Sequence, residues 1–178
     1  MERLWTLKEG LLATLNIEGR VGEFGVYRGG TAVLLASLLK EHDIAKQLHL
    51  FDSFAGGADT SGQTDPAKFT NTSSEMVGEA VEATGQAFEV HAGLFSETLP
   101  DVGDQRWSFA HVDANLYSST KEVLDYLEPR MQTGGLIVFD DFAARKWPGV
   151  RTAVEEFANA VGRKAIHLTT GQALIVWQ

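Results

Sequence analysis

Four aspartates close apolar runs in this chain. Asp52 ends the run 46–52, Asp113 ends 108–113, and Asp140 and Asp141 end 136–141, which follows Gly134 and Gly135. Such runs read as β-strands, and in an open α/β sheet ligands bind beyond the carboxyl ends of the strands. Carboxylates brought together there repel and raise one another's pKa, and a cation removes that cost. Asp113, Asp140 and Asp141 offer hard oxygen ligands that suit Mg2+ or Ca2+. The alternative is structural. A lone acid at a strand end is usually a cap or turn former: Asp113 would cap the helix that follows, and Asp140 and Asp141 would be solvated turn residues.

A second constellation lies in 21–30, where Glu23 precedes Gly25, Val26, Tyr27, Arg28, Gly29 and Gly30. It reads as a strand end, a glycine turn and a helix start. There the backbone N–H groups are bare and the helix dipole is positive. Gly25, Gly29 and Gly30 either let a ligand lie against the main chain or simply make a tight βα connection. No Gly-Lys-Ser/Thr follows, and the spacing is not G-x-G-x-x-G. A cofactor with a ribose but no phosphate fits such a turn, and S-adenosylmethionine is one. Asp52 is placed to accept ribose hydroxyls, and Glu23 is the acid beside the glycines expected to face the cofactor. Tyr27, Arg28 and Trp147 either line the site or pack. Asp113, His111 and His91 are candidates for a general base; His42, His49 and His167 read as non-catalytic.

The elements that must position these groups follow from periodicity. Leu4, Leu7, Leu11, Leu12 and Leu15 predict a first helix over 3–15, and the helix after Gly30 carries Leu34, Leu35, Leu38 and Leu39 on one face. A third strand is expected over 87–91, and 93–100 as a turn, with room for one helical turn in it. Thr72 with Glu75, and Ser119 with Glu122, read as capping boxes. Pro148 opens a helix with Val150, Ala153, Val154, Phe157, Ala158 and Val161 on its apolar face. Two β-like runs flank 170–172 as a terminal hairpin. Alternating strands and helices give an α/β fold: a mainly parallel sheet, helices on both faces and an antiparallel C-terminal strand. The one long irregular segment, 55–69, reads as a functional loop.

A length of 178 residues suits a single domain over 1–178. There is no cysteine, so disulfides and thiolate chemistry are excluded. The net charge of −9 argues against nucleic acid. No apolar run approaches a membrane span, and the N-terminus lacks a signal-peptide pattern. The expectation is a cytoplasmic protein acting on a small molecule, with no membrane partner.

Five motifs then occur in order. The 23–30 stretch resembles motif I of the class I methyltransferases, in the form seen in the macrocin O-methyltransferase family. Phe51-Asp52-Ser53-Phe54-Ala55-Gly56 is similar to that family's DSFxG segment, and 93–100 to its GxFxxTLP. The stretch 111–120 resembles hxDxDxYxST, and 134–141 resembles GGxxxxDD. The resemblance implies a Rossmann-like three-layer sandwich and Mg2+-assisted O-methylation of a small-molecule hydroxyl, typically on a sugar or natural product. It implies cofactor binding by Glu23, Gly25, Tyr27, Gly29, Gly30, Thr31, Asp52, Ser53, Gly93, Phe95 and Asp113. It implies metal binding by Asp113, Asp140 and Asp141, with Asp113 also catalytic, and it is compatible with a homodimer. Asn115 stands where the family usually has a second acid, so it is left outside the metal set and given a substrate role. Acceptor specificity is expected in 55–69 and 143–149. Competing functions are a catechol-type O-methyltransferase and a non-catalytic S-adenosylmethionine-binding protein.

Overall fold

A computed structural model describes residues 2–56 and 71–178; most of the 55–69 loop expected to set specificity lies outside the described residues. The elements run α1 (Glu2–Ala13), β1 (Arg20–Phe24), α2 (Gly30–Glu41), β2 (Leu48–Asp52), α3 (Ser74–Glu82), β3 (Phe88–Ala92), α4 (Phe95–Val102), β4 (Trp107–Val112), α5 (Tyr117–Leu127), β5 (Met131–Phe139), α6 (Pro148–Ala160), β6 (Ile166–His167) and β7 (Ala173–Val176). They build a seven-stranded sheet in the order β3-β2-β1-β4-β5-β7-β6. The first five strands pair in parallel, and β7 runs antiparallel between β5 and β6. This is the parallel sheet with a terminal hairpin that the alternation of elements predicts.

Side chains alternate across the central strands, so each strand feeds two cores. Val21, Leu48, Leu50, Phe109, Leu136 and Val138 face the layer of α1, α2 and α3. Phe24, Phe51, Ala110, Val112, Ile137 and Phe139 face α4, α5 and α6. Burial on both faces explains why these strands read as continuous apolar runs. In α1, Leu7 and Leu11 are buried, while Leu4 is exposed. Gly10 lets this helix lie close on the sheet, since a Cβ there would stand 2.8 Å from Leu136 and 3.1 Å from Phe109. Among the described residues no helix is long and apolar enough to cross a membrane.

Three local expectations change. The stretch 93–100 holds more than a turn with one helical turn: α4 runs from Phe95 to Val102. Glu97 accepts from the Leu94 N–H at 3.1 Å, and buried Leu99 with half-buried Phe95 and Val102 packs the helix on the core. Pro100 forfeits one backbone hydrogen bond, and that burial outweighs it. The cap of α3 is Ser73, which accepts from Met76 N–H at 3.2 Å, whereas the Thr72 hydroxyl donates to the Tyr27 carbonyl. Helix α5 begins at Tyr117, so Ser119 lies inside it. Neither Thr72 nor Ser119 caps its helix, because the chain's approach from the sheet sets where each helix starts.

The strand order reverses between β1 and β4, and the crevice for ligands opens at such a switch point. Gly25 lies there at φ 95, and a Cβ on it would stand 2.2 Å from the Asp113 carbonyl oxygen. That carbonyl is backbone and cannot swing aside. We expect Gly25→Ala to destabilise the protein by about 2 kcal/mol or more, through both strain and collision. Urea denaturation of the two proteins measures it; equal midpoints would contradict this packing.

Candidate active site

Strand pairing sets the site. Glu23 in β1 is in register with His111 in β4, and His111 with Val138 in β5. Glu23 and His111 are both buried, and Glu23 Oε1 lies 3.1 Å from His111 Nδ1. His111 Nε2 lies 3.8 Å from Asp140 Oδ1, an ion-pair distance too long for a hydrogen bond. Asp140 Oδ1 also accepts from the Gln172 amide at 2.7 Å. Arg3 Nη1 donates to Asp140 Oδ2 at 2.6 Å and to Asp141 Oδ1 at 3.0 Å. Three distant pieces of chain, α1, β4 and the β6–β7 turn, thus converge on the acids after β5.

The charges shape one another. Burial opposes the charge on His111, but the Asp140 and Glu23 carboxylates outweigh it and push the imidazole up to about 10. His111 therefore carries a proton at neutral pH and is a poor general base. Burial raises Glu23, with His111 opposing. Burial pushes Asp113 up to about 7, opposed by His111 and reinforced by Asp140, Asp141 and Glu23. Burial would raise Asp140 too, but His111, Arg3 and Gln172 hold it below the usual range.

The glycine turn is organised by Asp52. Its Oδ2 accepts the N–H groups of Val26 and Tyr27, both at 2.8 Å, and its Oδ1 accepts Phe54 N–H at 2.8 Å. The acid expected at a ribose is thus also the clamp of the turn. Gly29 takes the left-handed conformation at φ 78 as the N-cap of α2, with no side chain capping the helix. Among the described residues nothing lies within 4 Å of where a Cβ on Gly30 would stand, so the first turn of α2, with Thr31, is open on that side. Ser53 donates to the Gly56 carbonyl, and Gly93 N–H donates to the Asp52 carbonyl. Phe95 packs edge-on against Phe24. Tyr27, Phe54 and Asn115 all have positive φ, at 53, 52 and 60, and all lie at this edge of the sheet. Strained backbone of this kind gathers at functional sites.

The metal expectation can be tested on this geometry. Asp113, Asp140, Asp141 and Glu23 give four carboxylates against two cations, Arg3 and His111. The excess is negative and the donors are hard oxygens, so their chemistry suits a divalent cation such as Mg2+, although Asp113, Asp140 and Asp141 do not bring three ligand atoms within 4.8 Å of one another. Among the described residues, the cluster with ligand atoms within 4.8 Å of one another is a different one, His49, Glu89 and His91. It fits a metal poorly. Arg20 Nη1 lies 2.6 Å from His49 Nε2, so Nδ1 bears the proton and faces His91 Nε2 at 2.9 Å. Binding a cation would require His49 to lose that proton beside a guanidinium. Burial, Arg20 and His91 already push His49 down to about 3. His91 stacks on Phe51 in the core cluster of the opposite face, away from Asp140, which removes it as a base for this site.

Residues 1–177 match the family model described as macrocin-O-methyltransferase (TylF). The chain belongs to the macrocin-O-methyltransferase family. It is 29% identical over 162 residues to an 8-demethyl-8-(2,3-dimethoxy-alpha-L-rhamnosyl)-tetracenomycin-C 4'-O-methyltransferase of Streptomyces olivaceus, covering 83% of this chain and 60% of that protein. It is 28% identical over 156 residues to the demethyldecarbamoylnovobiocin O-methyltransferase of Streptomyces niveus, covering 80% and 59%. The chain thus spans about 60% of the length of both relatives. The solved O-methyltransferase NovP superposes with a TM-score of 0.87 at 23% identity, over 99% of this chain and 80% of that one. That likeness, like the topology, places the chain in the Rossmann-like O-methyltransferase fold.

Two residues of this family member's site are silent in the sequence. Arg3 lies in a plain amphipathic helix, and Gln172 in a plain hairpin turn; no local pattern links either to residues so far along the chain. Asp113 yields a pH prediction. Its carboxyl sits at about 7 in the fold against an ordinary 3.8, so the stability linked to its proton is full below 3.8 and lost as pH rises through 7. Without added divalent cation, we expect stability to fall from pH 5 to pH 8. Asp113→Asn should flatten that fall, gaining on the order of 1–3 kcal/mol at pH 8. Parallel pH profiles for the two proteins in thermal unfolding would contradict it.

Proposed function

We propose that this chain is an S-adenosylmethionine-dependent O-methyltransferase acting on a hydroxyl of a sugar-bearing or other natural product, assisted by Mg2+. The observation that carries the reading is the set of carboxylates after β4 and β5, on the strands beside β1 and its glycine turn, in a chain that matches its family over nearly its whole length. The rhamnosyl group in the name of one relative supports a sugar hydroxyl as acceptor.

Asp113, Asp140 and Asp141 would hold the cation; the glycine turn, Glu23 and Asp52 would hold the cofactor. When bound, Mg2+ supplies Lewis acidity that lowers the pKa of an acceptor hydroxyl, and the cofactor supplies a methyl on a good leaving group. The chain's own part is chiefly alignment, which can contribute roughly 7–11 kcal/mol. Asp52 fixes three N–H groups and with them the path of the turn. The open space at Gly30 admits a ligand to the start of α2. His111 pins Glu23 on one side and faces Asp140 on the other, so both acids keep fixed positions. Asp113 is also the carboxylate that would take the hydroxyl proton.

The test uses S-adenosylmethionine, Mg2+ and a panel of rhamnosylated and catechol acceptors. We expect methylation of a sugar hydroxyl, and turnover by Asp140→Asn reduced at least about 100-fold with S-adenosylhomocysteine affinity nearly unchanged. Binding of S-adenosylhomocysteine without methylation of any acceptor would favour a non-catalytic binder. Preferred methylation of catechols would move the acceptor class, and full activity of Asp140→Asn in chelator would remove the metal.

A further inference from the structure

Arg3 stands in an unusual position for a surface residue of an N-terminal helix. A single nitrogen, Nη1, bridges the carboxylates of Asp140 and Asp141 at 2.6 and 3.0 Å. That is the place of a cation shared by two acids. A guanidinium keeps its charge at any working pH, so this counter-charge does not switch off by titration. The two carboxylates are largely buried, with 14% and 15% of their side-chain surface exposed, while Arg3 keeps 42%.

We infer that Arg3 competes with a divalent cation for the Asp140 and Asp141 oxygens and is displaced when the cation binds. The inference rests on the Mg2+ reading of the site above. Asp140 Oδ1 is held by the Gln172 amide, leaving Oδ2 to Arg3. Asp141 Oδ1 is likewise held by Arg3. A cation that uses Asp140 Oδ2 and Asp141 Oδ1 meets the guanidinium there, and two cations sharing those two oxygens repel. The Arg3 side chain can leave while its backbone stays, since the Gln172 amide also donates to the Arg3 carbonyl at 3.4 Å. Its neighbours Leu4 and Trp5 are exposed, and α1 is anchored further along by Gly10 and by buried Leu7 and Leu11. Once released, the half-exposed guanidinium regains water, whereas Asp140 keeps Gln172 and His111. Arg3 therefore acts as a resident counter-ion that keeps the acid pair folded without metal and sets how much cation is needed to load it.

Calorimetric titration with Mg2+ alone at neutral pH, on the wild type, Arg3→Gln, Arg3→Met and Arg3→Lys, tests this. Circular dichroism confirms that each variant is folded. We expect Arg3→Gln and Arg3→Met to bind Mg2+ roughly fivefold tighter or more, the factor matching an exposed ion pair at the upper end of its usual strength. Arg3→Lys, which keeps the charge, should stay near the wild type. Equal or weaker binding by Arg3→Gln and Arg3→Met, with measurable binding by the wild type, overturns the competition and leaves the metal reading intact. No binding by any of the four at millimolar Mg2+ overturns both.

Discussion

Crowding of like charge at the carboxyl edge of the sheet is the constraint to which the rest of this structure responds. Parallel pairing of β1, β4 and β5 carries Glu23, Asp113 and Asp140 to neighbouring strand ends. Two unit charges about 4 Å apart repel by about 4 kcal/mol at the effective dielectric of a protein surface. The fold offsets this from three directions. His111 sits between Glu23 and Asp140, Arg3 arrives from α1, and the Gln172 amide donates from the last hairpin turn.

The two faces of the sheet divide the work. The α4–α6 face is aromatic: Phe24 stacks on Phe51 at 4.8 Å, and Trp107 meets both edge-on. This wall gives β1 and β2 a stiff backing, so that the turn clamped by Asp52 has a fixed base. The α1–α3 face carries the Glu23–His111 pair. A buried pair of that kind contributes little net stability when compared with apolar side chains, because both ions lose their hydration. Its retention there is better explained by position, since Glu23 adjoins the glycine turn and His111 faces Asp140.

What the sequence disclosed and what it hid follow from range. The strand ends with their acids were legible because burial on both faces leaves an unbroken apolar run that stops where the acid begins, as at Ile137 to Asp140. The α/β alternation followed from the same runs. Helix α4 was hidden because Gly93 and Pro100 are local turn formers, whereas the burial of Leu99 against the sheet is tertiary. The caps at Thr72 and Ser119 failed for a related reason: several hydroxyls lay within reach, and the approach from the sheet selected Ser73 in one case and none in the other. Arg3 and Gln172 were invisible, since their partner Asp140 lies far along the chain from Arg3 and across a strand pairing from Gln172.

Asn115 stands on a constrained piece of backbone at the edge of the acid cluster. It lies two residues beyond Asp113, in the turn that leads into α5, at φ 60. Leu116 N–H closes that turn on the Ala114 carbonyl at 2.7 Å. Among non-glycine residues asparagine and aspartate both enter the left-handed region readily, so the backbone accepts either and the difference between them is charge. An amide there also adds no charge to an edge already short of cations. Asp113, and not Asn115, is the residue whose proton affinity responds to Asp140 and Asp141. An amide at 115 thus lowers the local charge while leaving the Asp113, Asp140 and Asp141 carboxylates in place.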